Sequence, residues 1–267
     1  MIKLFSEVTV VEKVTAGRYV AVVDDAWTIG GKPNGGYLLA LVSRAILEQS
    51  TFTDVVTTSV HYLFSPDPGP VEVQVDEVRV GKSFGHFEGR LLQDGRCALT
   101  VIAIVGNVSL DVGAYWRGTD MESTVAPFHE CDPLPIATPG GFNALIMTQV
   151  KIVMDPSVKV YRQGTPSGSG ELKGWLQLPG GEAFDSVSLQ YALDSFPPAT
   201  FEIERTGWVP TLSLTTYVRS LPAPGPLQII QKANLIQGQM VDETCYIWDV
   251  NHNLVAQATQ LAGIRLG

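Results

Sequence analysis

The chain has 267 residues, of which 45% are hydrophobic and 17% charged, and its formal net charge is −9. This composition is typical of a folded protein with a sizeable core, and the acidic balance argues against a basic groove for nucleic acid. The cysteines Cys97, Cys131 and Cys245 form no CxxC pair, and the four histidines show no metal-ligand spacing. We therefore expect neither a disulfide framework nor a metal site.

The first predicted element is a helix from Gly36 to about Gln49, within GGYLLALVSRAILEQ. Residues 37–42 are apolar without a break, and six successive residues at about 100° each go right round a helix. A membrane span needs roughly 20 apolar residues, and this run ends at Ser43 and Arg44. The charges of the first residues also come too early for a signal peptide. We therefore predict that a sheet curls around this helix.

The residues after the helix read as antiparallel strands. Val71–Val80 alternates almost strictly between apolar and polar residues, and it is followed by predicted strands at Gly85–Leu92 and Ala98–Val105. The Gln93-Asp94-Gly95 segment between the last two is typical of a hairpin turn.

The middle of the chain and the second half follow a similar plan. Residues 118–145 are rich in Pro, Gly, Asp and Thr and are predicted to form a linker. A second helix is predicted over about Asp185 to Phe196, and it must end before Pro197 and Pro198.

Two passages of the chain repeat each other, which indicates an internal duplication. TTSVHYLFSPDPGPVEVQVDEV and PTLSLTTYVRSLPAPGPLQIIQKANL both run from an alternating strand through P-x-P-G-P into another strand. Pro66 aligns with Pro222, and with nearly the same offset Gly106 aligns with Gly263. We predict an α+β protein with one antiparallel sheet around a central helix in each half: residues 1–117, the linker 118–145, and residues 146–267.

The strings NGGYLLA, SVHYLFSPDPG and GKSFGHFEGRLLQDG, followed by LQYALD, PTLSLT and ATQLAGIR, resemble the acyl-CoA thioesterase II-like family of double-hotdog proteins. The resemblance covers nearly the whole chain apart from the linker. It implies a double hotdog fold, two tandem hotdogs, and hydrolysis of an acyl thioester such as acyl-CoA.

The resemblance also implies a catalytic set of an Asp, a Ser or Thr, and a Gln, which matches Asp194, Thr211 and Gln260. Taken alone, Asp194 is equally a solvated carboxylate in the last turn of its helix, at the unfavourable end of the helix dipole. Without a cationic neighbour, a half-buried carboxylate there would have a raised pKa and could act as a general base. The threonine assignment could lie two residues out, because Ser213 and Thr215 share its strand face.

Gln260 is unusual because it lies among small and apolar residues, where an amide needs a hydrogen-bond partner. Its duplicate position in the first half is Ala103, and the first-half helix offers no Asp. We therefore expect one active site per chain, where the two halves or two chains meet.

Backbone N–H groups at Gly35, Gly36 and Tyr37, at the start of the first helix, are candidates for binding the oxyanion of the tetrahedral intermediate. A simple helix cap with tight packing is the alternative. His61 lies where the family often has a histidine and is a further substrate-binding candidate, although a structural role in its strand is the alternative.

These inferences predict a cytoplasmic thioester hydrolase that uses no metal or redox cofactor, has no membrane span and forms a homodimer through its sheet edges. Three alternatives stay open. The fold also serves dehydratases that pair a His with an Asp or Glu; it could release or cyclise a polyketide-type chain; or the protein could bind acyl-CoA without catalysis.

Overall fold

The computed structural model describes residues 2–109, 113–118, 122–137, 141–204 and 206–265. Its helices are α1 (Phe5–Val8), α2 (Gly35–Gln49), α3 (Lys159–Arg162) and α4 (Ser186–Ala192). The strands of the first half are β1 (Glu12–Thr15), β2 (Arg18–Val23), β3 (Thr28–Ile29), β4 (Lys32–Pro33), β5 (Asp54–Tyr62), β6 (Gly69–Val80), β7 (Gly85–Gln93) and β8 (Arg96–Gly106). Strand β9 (Asp132–Pro133) lies in the 118–145 segment, and the strands of the second half are β10 (Lys151–Met154), β11 (Glu171–Gln177), β12 (Thr211–Val218), β13 (Leu227–Gln237), β14 (Met240–Trp248) and β15 (Leu254–Gly263).

Thirteen of the strands form one sheet, in the order β1-β2-β6-β7-β8-β5-β12-β15-β14-β13-β11-β10-β9, and every pair is antiparallel. The two halves meet where β5 pairs with β12, with Ser59 opposite Thr215. From this junction outwards, β8, β7 and β6 in one half match β15, β14 and β13 in the other. This symmetry confirms the duplication and the predicted α+β double hotdog.

Helix α2 is covered on nearly all sides, as its sequence predicts. Residues 36–43 are all buried, and Ala45 and Ile46 are buried as well. The helix contacts β2, β5, β6, β7 and β8 of the sheet and also packs against α4. The predicted start at Gly36 is within one residue of the observed start at Gly35.

The predicted strands of the first half are confirmed, with longer ends. The turn between β7 and β8 has positive φ angles at Asp94 (51°) and Gly95 (75°), as a two-residue hairpin of the primed type requires.

Helix α4 is shorter than predicted and runs antiparallel to α2. It ends at Ala192 rather than Phe196, so Asp194 lies just beyond the helix rather than in its last turn. The rings of Pro197 and Pro198 would clash with the carbonyls of residues 193 and 194 in a continued helix. At the other end of α4, Arg44 of α2 forms a 2.7 Å ion pair with the capping residue Asp185.

The described part of the 118–145 segment packs against both halves. The N–H of Leu134 donates to the carbonyl of Ile152 in the second half, and the N–H of Gly30 in the first half donates to the carbonyl of Asn143. Among the described residues, no helix has the length and apolar character needed to cross a bilayer.

Candidate active site

One cavity of about 330 Å³ lies between the two halves, within the range of small-molecule sites. Most of its wall is apolar, and this part includes Leu38, Leu63, Phe142, Phe196, Phe201 and Trp208. The polar groups on its wall include Asn34, Tyr62, Asp194, Thr211 and Gln260. The three predicted catalytic residues therefore line a single cavity.

The carboxylate of Asp194 is bound by the start of the opposite helix. Its Oδ2 atom accepts a 2.7 Å hydrogen bond from the N–H of Gly36 and a 3.4 Å bond from Nδ2 of Asn34. The same Asn34 Nδ2 donates to the backbone carbonyl of Asp194 at 2.9 Å. The sequence placed Asp194 at the negative end of its own helix. The antiparallel packing of α2 and α4 also puts it at the positive end of α2, where a carboxylate is favoured.

The pKa of Asp194 is raised from its ordinary 3.8 to about 7. Burial is the main cause, and the charge of Glu243 raises the pKa further. The hydrogen bonds from Gly36 and Asn34 oppose this rise. A carboxyl group with a pKa near 7 is suited to general-base chemistry near neutral pH.

Gly36 is needed for the close approach of the two helices. A Cβ atom at this position would lie 2.8 Å from Cβ of Asp194 and 3.0 Å from both the carbonyl oxygen of Gln190 and Cα of Tyr191. The segment that comes close to the helix start is therefore the protein's own second half. These contacts favour the tight-packing role of Gly36 over the role of its N–H in binding an oxyanion.

Thr211 and Gln260 lie together on the wall of the same cavity. Thr211 Oγ1 is 3.5 Å from Gln260 Oε1. A bulge between Thr211 and Ser213 shifts the register of β12 against β15 and so separates Thr211 from the face that carries Ser213 and Thr215. Thr211 lines the cavity, whereas Ser213 and Thr215 do not, so the placement favours Thr211 among the three.

The amide of Gln260 is anchored by a carboxylate that sequence reasoning missed. Glu243, directly opposite on β14, accepts hydrogen bonds from Gln260 Nε2, from Gln231 Nε2 at 2.9 Å, and from the N–H of Ala199 at 2.8 Å. Burial raises the pKa of Glu243, and these hydrogen bonds oppose the rise. Because Nε2 of Gln260 donates to Glu243, the Oε1 atom of Gln260 points to Thr211.

The four oxyanion and substrate-binding candidates are placed differently from one another. Gly35 lines the cavity, but Gly36 donates its N–H to Asp194 and Tyr37 donates its N–H to Asn34 Oδ1 at 2.9 Å. The Tyr37 ring is fully buried, and its hydroxyl donates to the carbonyl of Val8.

His61, the fourth candidate, lies apart from the other three. This residue is exposed on β5 and does not line the cavity. Strand alternation explains the difference, because its neighbour Val60 is buried on the face toward the helices.

Sequence reasoning also missed Asn34 and Tyr62 as site residues. Asn34 showed one usable sign, since an Asn before Gly-Gly and an apolar run is a typical helix cap. Tyr62 and Glu243 sit in ordinary alternating strands. Nothing in the local sequence distinguishes them from structural residues.

Two family models match the chain. The model of the acyl-CoA thioesterase N-terminal domain matches residues 23–106, and that of the acyl-CoA thioesterase C-terminal domain matches residues 124–264. An uncharacterized protein of Mycobacterium tuberculosis is 27% identical over 259 residues, covering 90% of this chain and 88% of that protein.

Solved structures agree in fold. A Thermobifida fusca protein assigned to thioesterase II superposes with a TM-score of 0.89 at 25% identity, covering 99% of this chain and 98% of that chain. A hotdog-fold protein of unknown function from Alicyclobacillus acidocaldarius has a TM-score of 0.84 at 17% identity, with 98% of both chains covered. With matching models for both halves, the chain belongs to the acyl-CoA thioesterase family of double-hotdog proteins.

Proposed function

We propose that the protein hydrolyses an acyl thioester, with Asp194 as the general base. The observation that carries this proposal is a carboxyl group with a pKa near 7 on the wall of a mostly apolar cavity that Thr211 and Gln260 also line. The apolar wall suits an acyl chain, and the polar groups suit a thioester and a water molecule.

The proposed reaction consumes one water molecule. Oδ2 of Asp194 is bound by Gly36 and Asn34, so we assign proton abstraction to Oδ1. Thr211 Oγ1 and Gln260 Oε1 orient the water, whose oxygen attacks the carbonyl carbon of the thioester. The carbon–sulfur bond then breaks, and Asp194 returns the proton to the leaving thiolate. The products are a carboxylic acid and a free thiol.

The cavity favours hydrolysis over the dehydratase alternative. A hotdog dehydratase pairs a histidine with a carboxylate, and no histidine is among the described residues that line this cavity. His61 is exposed, and His86 lies on β7 away from the cavity.

Thiol release from a panel of acyl-CoAs, short to long and including aryl and branched chains, tests the proposal. We expect turnover on at least one substrate and a loss of at least a hundredfold in kcat for Asp194→Asn. Asp155→Asn is the matched control, because the Asp155 carboxylate also accepts a 2.7 Å hydrogen bond from a backbone N–H, but Asp155 does not line the cavity. Tight acyl-CoA binding without turnover in the wild type would instead indicate a carrier or sensor.

A further inference from the structure

We propose that the hydroxyl of Tyr62 is a catalytic hydrogen-bond donor to the carbonyl oxygen of the substrate. This inference rests on the proposed function, since it assigns a role in the same reaction.

Tyr62 ends β5 and lines the cavity next to Asp194 and Gly35. A Cβ atom on Gly35 would lie 2.9 Å from Asp194 Oδ2 and 3.1 Å from Cζ of Tyr62. The carboxylate and the phenol carbon that bears the hydroxyl therefore flank the same glycine at the start of α2. A thioester positioned for attack by a water on Asp194 would place its carbonyl group beside this phenol.

The Tyr62 hydroxyl is buried and has no hydrogen-bond partner among the described residues. An unpaired buried hydroxyl destabilises the folded protein, and such groups in native proteins call for an explanation. A ligand oxygen that accepts from this hydroxyl would remove this destabilisation. Because the donor is already in place before the substrate arrives, no reorganisation is needed during the reaction.

The chemistry of the site favours the carbonyl oxygen as this acceptor. Of the three N–H donors first expected to bind the oxyanion, Gly36 and Tyr37 are occupied by Asp194 and Asn34, which leaves Gly35 on the cavity wall beside Tyr62. Burial and the nearby charge of Asp194 raise the pKa of the Tyr62 phenol well above its ordinary value. The phenol therefore keeps its proton and donates it in a hydrogen bond as negative charge develops on the carbonyl oxygen.

Tyr191 provides a matched comparison within the same chain. Its hydroxyl is also buried and unpaired within the described part of the chain, and the charge of Asp194 also raises its pKa. However, Tyr191 does not line the cavity, and its ring packs against Phe5 and Trp27 at centroid distances of 5.4 and 5.1 Å. A substrate in the cavity would meet Tyr62 and not Tyr191.

The first experiment compares Tyr62→Phe with Tyr191→Phe in the thiol-release assay. We expect kcat to fall by about 10²-fold in Tyr62→Phe with KM changed less than threefold, as for other single oxyanion donors. Tyr191→Phe should stay within twofold of wild type. Full activity of Tyr62→Phe, in a preparation where Asp194→Asn is inactive, would overturn the inference while leaving the proposed function intact.

A second measurement does not depend on turnover. Binding is compared for two acyl-CoA analogues: a ketone, in which CH₂ replaces the sulfur, and a thioether, in which CH₂ replaces the carbonyl group. Wild type should prefer the ketone, and Tyr62→Phe should lose roughly fivefold to tenfold of that preference, the effect of one hydrogen bond. An unchanged preference, or no binding of either analogue, contradicts the inference. Loss of the preference in a protein without turnover would support the inference and contradict hydrolysis.

Discussion

The carboxylate of Asp194 accepts a hydrogen bond from the backbone N–H of Gly36, at 2.7 Å. The two residues come from different halves of the duplicated chain and from opposite ends of the two antiparallel helices. The position of Asp194 therefore depends on both halves: the turn after α4 carries the carboxylate, and the N-terminal end of α2 orients it. A change at either place should impair proton abstraction by Asp194.

The pH profile of kcat/KM should report the ionisation of Asp194. The general base is active as a carboxylate, and its pKa is raised to about 7. Activity should therefore be low at pH 5, rise about tenfold per pH unit below pH 7, and level off above it. Initial rates across a series of buffers at constant ionic strength check this, and a flat profile between pH 5 and 8 would contradict the role of Asp194.

Asp194→Asn should stabilise the folded protein at alkaline pH while it abolishes activity. The folded-state pKa of about 7 lies above the ordinary 3.8, so the folded chain binds the proton more tightly than the unfolded chain. Ionisation of Asp194 therefore destabilises the folded wild-type protein. This destabilisation is absent below about pH 4, grows as pH rises, and is complete above pH 7. We expect the variant to gain about 1–3 kcal/mol in the free energy of unfolding at pH 8, and little at pH 4, by urea denaturation. An equal effect at both pH values would disagree with this explanation.

Gly36→Ala should displace Asp194 and loosen the packing of α2 on α4. Its Cβ would meet backbone atoms of Gln190 and Tyr191 at 3.0 Å, and these cannot rotate away. We expect a loss of about 1–3 kcal/mol in stability and at least a tenfold fall in kcat/KM. Gly113→Ala is the control, because no atom of the described residues lies within 4 Å of the added methyl group, chain neighbours aside. Wild-type activity in Gly36→Ala would show that the close approach is not required.

Glu243→Gln should act through Gln260 and Asp194 without contact with the substrate. The NH₂ group of a glutamine cannot accept a hydrogen bond. At least one of the N–H groups that donate to Glu243 would therefore lose its acceptor. We expect a fall of about tenfold in kcat with a smaller change in KM. The kinetic pKa of Asp194 should also decrease, because the charge of Glu243 raises it.

Glu202→Gln is the matched control for that experiment. Glu202 is fully buried and accepts from the backbone N–H groups of Val160 and Ser167 at 2.6 and 2.8 Å. Its substitution should lower stability and leave the kinetic pKa of Asp194 in place. If both variants shifted the pH profile equally, Glu243 would have no specific effect on the base.

The Phe142–Trp208 pair should limit the size of the acyl group. The two rings line the cavity and meet edge to face, with centroids 6.0 Å apart. Phe142→Ala should raise the ratio of kcat/KM for long over short acyl-CoAs by about tenfold, because it enlarges an apolar pocket. Phe84→Ala, at a half-exposed phenylalanine outside the cavity, should leave the ratio unchanged. An unchanged ratio in Phe142→Ala would place the limit on chain length elsewhere.

Much of the fold was predictable because its causes are local. The apolar run in α2 requires cover on every side, the repeated P-x-P-G-P turns reveal two equivalent halves, and Asp94-Gly95 has the φ angles of a tight hairpin. The end of α4 was misjudged by four residues. Pro197 marked where the helix could not continue, but not how many residues earlier the chain would turn to bring Asp194 to α2.

The sequence by itself determined the duplicated plan of a sheet around a helix in each half, and the resemblance supplied the double hotdog and the candidate residues Asp194, Thr211 and Gln260. Only the tertiary structure decided how they are held, because the contacts join residues far apart in the chain. The carboxylate of Asp194 meets the N–H of Gly36, the amide of Gln260 meets Glu243, and the ring of Tyr62 faces the same glycine as Asp194. Periodicity and spacing describe one segment at a time, whereas the charge, burial and pairing of these groups depend on which segments pack together.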